Sequence, residues 1–132
     1  MPQRALAQTE GQLLLWLPCG SDLFCTIHTG LLEGFSTGAS LGPATTVCGL
    51  GQDTEFTQAL IGSITAGSPP DISMLWDSPV SLGTKGAFMP LDHMMKGSKI
   101  PLETWSAGLL SSCQFKGLTY GQPVTAGVYA MW

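Results

Sequence analysis

The chain predicts an α/β domain, a mainly parallel sheet flanked by helices, and three observations predict it. Short apolar runs at 13–17 and 72–75 have the length and composition of strands covered on both faces. Segments with helical apolar spacing alternate with those runs, the order expected of crossover units. Between one such helix and one such strand stands Ala66-Gly67-Ser68-Pro69-Pro70-Asp71. Gly67 supplies the left-handed backbone that closes a helix, and the double proline keeps it from resuming.

Each element follows from local chemistry. Leu13, Leu14, Leu15, Trp16 and Leu17 make a compact first strand, stopped by Pro18, Cys19 and Gly20. Ser21 or Asp22 can cap the next helix by accepting a bond from an early backbone N–H. Its apolar residues recur as Leu23, Ile27, Leu31 and as Phe24, Leu32, Phe35, read together as one buried face. Gly30 and Gly34 weaken it by up to about 1 kcal/mol each, relative to alanine. Gly38, Gly42 and Pro43 end it, and 44–50 reads as the second strand. Asp53 caps the clearest helix, Glu55 suits its positive start, and Phe56, Leu60 and Ile64 line one side.

The third strand is expected over 71–76. Pro79 then begins a short helix that Gly86 ends. A short extended piece is expected at 87–91, a helical turn at 92–96 and a helix at 104–113 carrying Trp105, Leu109 and Leu110. Met89, Met94 and Met95, beside His93, read as methionines packing that turn onto a sheet rather than as soft-metal ligands. Residues 114–121 predict a hairpin turning at Lys116-Gly117, and Pro123 leads into a last strand at 128–132.

Composition narrows the function. Only 11% of residues are charged, the net charge is −4, and five residues are basic. No basic patch is available for nucleic acid or an anionic membrane. No apolar run reaches the roughly 18 residues that span a bilayer. Ala5 and Ala7 give the small-x-small pattern that precedes a secretory cleavage site, so residues 1–10 read as the end of a signal or a flexible terminus. Cys19, Cys25, Cys48 and Cys113 show no zinc-type spacing; they pair in any of three ways if exported, or are small buried apolar residues if not. No Gly-x-Ser-x-Gly elbow, P-loop or GxGxxG occurs, so no enzyme class has support.

Three motifs in order carry a family resemblance: the aromatic-bearing strand 13–17, the run Ala66-Gly67-Ser68-Pro69-Pro70-Asp71-Ile72 with its continuation to Trp76, and the stretch from Lys85-Gly86-Ala87-Phe88-Met89-Pro90-Leu91-Asp92 to Phe115-Lys116-Gly117-Leu118-Thr119-Tyr120-Gly121-Gln122-Pro123-Val124. With them the chain resembles the N-terminal part of an extracellular solute-binding protein of a bacterial ABC importer, of the sugar-binding group. The likeness is strong over 54–132 and weak over 19–51, where the usual proline-glycine turn and charged, β-branched second strand are missing. It implies a truncated first lobe of a two-lobe, type II periplasmic-binding-protein-like fold, with residues 11–132 forming part of that lobe. The stop inside an apolar strand agrees with a fragment.

The resemblance further implies a binding protein and not an enzyme, with no cofactor. It implies a monomer that is periplasmic or extracellular, secreted or lipid-anchored. Its partners would be a small solute, carbohydrate foremost, and a membrane permease. Its cleft wall would fall on the loop 18–21, on Trp76, Asp77 and Ser78, and on Thr125, Gly127 and Tyr129. Physically, Trp76 and Tyr129 offer flat apolar surface for a pyranose, and Asp77, Ser78 and Thr125 offer polar partners for its hydroxyls. Trp132 could add to the flat surface but reads first as a core or hinge residue, as Trp16 and Trp105 read as core. Gly127 would contribute only backbone. The rival reading is a small intracellular enzyme or metal protein using Cys19, Cys25 and His28. A non-functional gene fragment is the third.

Overall fold

A computed structural model describes residues 12–18, 22–51, 53–99 and 102–124. The chain divides into two compact units, Met1–Asp77 and Ser78–Trp132. The first holds β1 (Leu13–Trp16), α1 (Asp22–Gly38), β2 (Ala44–Val47), α2 (Asp53–Thr65) and β3 (Ile72–Ser73). The strands form one parallel sheet in the order β2-β1-β3. β1 pairs along its whole length with β2, Leu13 opposite Ala44 and Trp16 opposite Val47, while Leu15 and Trp16 pair with Ile72 and Ser73. The two crossovers run in opposite directions across β1, so right-handed connections carry α1 and α2 over opposite faces.

Strand alternation sends Leu13, Leu15 and Leu17 to one face and Leu14 and Trp16 to the other. Leu15 and Leu17 meet Leu32 of α1, with Phe24, Ala44, Cys48 and Met74 packed around them. On α2, Phe56 and Leu60 are fully buried. The α1 pattern corrects the expectation. Leu23, Ile27, Leu31 and Phe35 are 50–67% exposed, whereas Leu32 is 8% and Ser36 4% exposed. Two adjacent apolar stripes compete for the sheet, and polar chemistry selects between them. Ser36 Oγ donates to the Gly42 carbonyl at 2.5 Å, fixing that stripe inward where the helix turns toward β2.

Helix ends obey one rule three times. After α1, Leu41 N–H reaches Ser36 O and Ser40 N–H reaches Thr37 O; after α2, Ser68 and Gly67 repeat this with Ser63 and Ile64. Ser40 and Gly67 occupy the left-handed position, φ 54° and 75°. These are Schellman closures. Gly67 was legible as one; the serine in the same role was not.

β3 is shorter than the expected 71–76, and Ile72 is 47% exposed instead of covered. Pro69 and Pro70 have no N–H to give the ladder, and after Met74 N–H bonds Trp16 O the chain leaves the sheet. Asp71 carries the pairing one rung further. Its N–H donates to Leu14 O at 3.0 Å, and its carboxylate accepts Leu14 N–H at 2.8 Å.

The second unit holds α3 (Val80–Gly83), α4 (Asp92–Gly97), a 3₁₀ turn (Leu102–Thr104), α5 (Ala107–Ser112), β4 (Gln114–Phe115) and β5 (Leu118–Thr119). The third Schellman closure ends α3: Ala87 N–H reaches Leu82 O and Gly86, φ 81°, bonds Gly83 O. β4 and β5 make the expected hairpin, with Lys116 and Gly117 both at positive φ as a two-residue type I′ turn requires. Asp92 docks it. Its carboxylate accepts Thr119 N–H at 2.9 Å and Thr119 O–H at 3.1 Å, and Thr119 Oγ1 accepts from Gln114 Nε2 at 3.0 Å.

Three expectations fail here. Residues 87–91 are irregular, held at Leu91 by its N–H to Thr119 O, so no extended piece forms. The expected 104–113 helix is interrupted at Trp105 and Ser106. Ser106 adopts extended backbone and caps α5 by accepting Leu109 N–H, while the Trp105 indole donates to Pro123 O at 2.8 Å. Of Met89, Met94 and Met95 only Met95 is buried; Met89 and Met94 are 65% and 53% exposed. The expected strand at 128–132 lies outside the described residues.

Candidate functional site

Parallel strands leave their carboxyl ends at one rim, and that rim is where open α/β sheets bind ligands. Here it is formed where β1 and β2 end at Trp16 and Val47 and where β3 passes through Met74 toward Trp76. Met74 packs against the core of Leu15, Leu17 and Leu32, as do Phe24 and Cys48. Two residues later the chain has left the sheet, and Trp76 is 53% exposed. Its exposure agrees with the expectation that the double-proline turn delivers an aromatic to this rim.

The indole is not isolated. The Phe24 ring, from the first turns of α1, stacks on it with centroids 6.1 Å apart and planes inclined by 27°. His28, one turn further along, lies 4.1 Å from the Phe24 ring, and its Nδ1 is 2.8 Å from Phe24 O. Phe24 is thus in ring contact with both Trp76 and His28. Such offset pairs add about 0.5–1.5 kcal/mol beyond area burial. Sequence reasoning placed Phe24 in the core and His28 in a metal set. The available signal was an aromatic and a histidine four apart at the start of the helix following a strand-end loop.

Asp77 is exposed beside Trp76. Ser78, also exposed, is partly committed within its own unit: its hydroxyl donates to Ser112 O at 2.6 Å and accepts Val80 N–H at 3.3 Å. Thr125, Gly127 and Tyr129, like Trp132 and the loop 19–21, lie outside the described residues.

The rival Cys19, Cys25 and His28 set is corrected at its centre. Cys25 is bonded to Cys48, from the first turns of α1 to the residue after β2, and so offers no thiolate beside His28. Among the described residues no three His, Cys, Asp or Glu side chains converge as a metal site. The one free cysteine among them, Cys113, is buried. A groove of about 330 Å³ lined by Glu33, Ser36, Leu41 and Pro43 lies at the opposite rim, where Pro43 O meets the start of β1. No described helix is long and apolar enough to cross a membrane.

Fold comparison finds solved structures of similar architecture. The chain is similar to CpMnBP1 in its mannotriose-bound structure, with a TM-score of 0.66 and 24% identity over 86% of this chain and 28% of that one. The mannobiose-bound structure of CpMnBP1 gives 0.64 and 24%, over 85% and 29%. The ABC substrate-binding protein Lmo0181 from Listeria monocytogenes, in complex with cycloalternan, gives 0.63 and 13%, over 83% and 28%. The chain thus spans a little over a quarter of the length of these solved chains. The expected fold class stands: α/β, with a parallel sheet flanked by helices, matching part of the longer solved chains. No family model and no curated protein matches the sequence.

Proposed function

We propose that the chain contributes part of the first lobe of an ABC-type solute-binding protein that captures an oligosaccharide. The observation that carries this is Trp76, exposed at the carboxyl rim of the sheet and backed by Phe24. A pyranose presents a flat C–H face, and an indole with one side supported and the other open complements it. Asp77, Ser78 and Thr125 would hold hydroxyls, Gly127 would offer backbone, and Tyr129 a second ring. The protein would act outside the cytoplasm, where the Cys25–Cys48 bond persists. A second lobe would close over the solute about a hinge, and a permease would recognise the closed form.

With one wall present, binding by these residues is weak. Titration with mannotriose, followed through the Trp76 indole N–H resonance, is expected to show a dissociation constant of about 1 mM or weaker, near −4 kcal/mol. Trp76→Ala should remove the effect. A sugar that leaves the Trp76 resonance unmoved while shifting another indole would overturn the reading.

A further inference from the structure

We propose that the Cys25–Cys48 disulfide is a positioning element for the aromatic rim: it holds Phe24 against Trp76, so that the ring platform forms only in the oxidised protein. The inference rests on the carbohydrate-capture reading only for what the platform binds.

Its basis is the unequal anchoring of α1. The rear half is fixed by Leu32 in the core and by Ser36, whose hydroxyl and carbonyl tie the helix to Gly42 and Leu41. Among the described side chains of the front half none is fully buried: Phe24, Cys25 and His28 are half-buried, and Leu23 and Ile27 are exposed. Phe24, partly buried against the core of Leu15, Leu17 and Leu32, draws the front turns inward together with the covalent bond of the next residue to Cys48. The partner cysteine follows directly on β2, so the bond fastens the helix start to the end of a paired strand. Phe24, in ring contact with both Trp76 and His28, thereby inherits its position from the sheet.

Reduction is a balanced exchange with a dithiol reagent. The reagent supplies two electrons and two protons, the Cys25–Cys48 bond breaks to two thiols, and the reagent closes to its own disulfide. With the tether cut, the front turns of α1 are no longer fastened to the end of β2 at Cys25, and the place of Phe24 loosens. The indole then loses its support.

The test compares oxidised and dithiothreitol-reduced protein by the Trp76 indole N–H resonance, with far-ultraviolet circular dichroism recorded on the same samples. Phe24→Leu, with the disulfide intact, supplies the reference for an unsupported indole. Reduction is expected to move the Trp76 resonance to the Phe24→Leu position while about nine-tenths of the helical signal remains. An unmoved resonance would overturn the proposal. So would concerted loss of resonance and helix, because the bond would then be a general clamp. A mannotriose titration of both forms separates the two readings. Sugar binding to the oxidised form, at least about tenfold tighter than to the reduced form, supports both. Redox-dependent Trp76 whose resonance the sugar leaves unmoved while shifting another indole supports the positioning role and overturns carbohydrate capture at this rim.

Discussion

The carboxylate of Asp71 accepts the backbone N–H of Leu14 at 2.8 Å, while the Asp71 N–H donates to the Leu14 carbonyl at 3.0 Å. One residue answers both backbone groups of its neighbour, one with its main chain and one with its side chain. A carbonyl from the double proline would otherwise have to turn inward to do the second. The acid after Pro69-Pro70 is therefore a strand extender that keeps a two-residue β3 attached to β1.

Asp71→Ala should accordingly destabilise the first unit by about 1–2 kcal/mol, the lower part of the range for bonds to charged groups because the residue is exposed. Asp71→Asn keeps an acceptor and should cost less than about 1 kcal/mol. Urea unfolding of the three proteins measures both. Equal losses would show that charge, not the acceptor, matters.

Acid should loosen the second unit through Asp92. The Thr119 amide N–H, above all, holds the Asp92 carboxyl below its ordinary value; desolvation opposes this, and the Thr119 hydroxyl, its own amide and Lys96 reinforce it. A carboxyl depressed in the folded protein stabilises it above the ordinary aspartate range. That contribution disappears as pH falls through about 4 and below. Asp92→Asn should be less stable than the parent at neutral pH and converge on it in acid. Denaturant midpoints measured from pH 7 to pH 2.5, roughly the span of carboxyl titration, check the sign.

Neighbouring leucines on α1 should behave oppositely. Leu31 is 65% exposed and Leu32 8%. Leu31→Lys should change stability by no more than about 0.5 kcal/mol. Leu32→Ala should cost about 2–4 kcal/mol by opening a void against Leu15 and Leu17. Reversed magnitudes would mean that the other stripe faces the sheet.

Gly83 has no room for a side chain. A Cβ there would overlap the ring and Cβ of Tyr120. Gly83→Ala should cost about 1–3 kcal/mol through overpacking, and Tyr120→Ala in the same protein should recover part of it. Thermal unfolding of the single and double variants reads out the coupling.

The order of elements was legible because local chemistry wrote it. Gly67 with Pro69-Pro70 ended α2, and Lys116-Gly117 turned the hairpin. So was the exposure of Trp76, which follows from a short strand running out at the rim. Three things were not. The inward stripe of α1 is chosen by Ser36 and Cys25, whose partners lie across the chain at Gly42 and Cys48. The cysteine pairing depends on helix and strand meeting in space, which spacing alone leaves open three ways. Phe24 as a support for Trp76 joins residues 52 positions apart. All three are long-range facts, and a pattern read along a chain records only near neighbours.

β1 has partners on both edges. Leu13 and Leu17 donate to Pro43 O and Val47 O on one side, and Leu14 and Trp16 accept from Asp71 and Met74 on the other. Neither outer strand is hydrogen-bonded to the other. Four residues thus act as the keystone for everything in the first unit, and pulling them out releases both flanks together. Amide exchange in native buffer should therefore find the Leu14 and Leu17 N–H groups the slowest of that unit, at one common rate equal to its global opening.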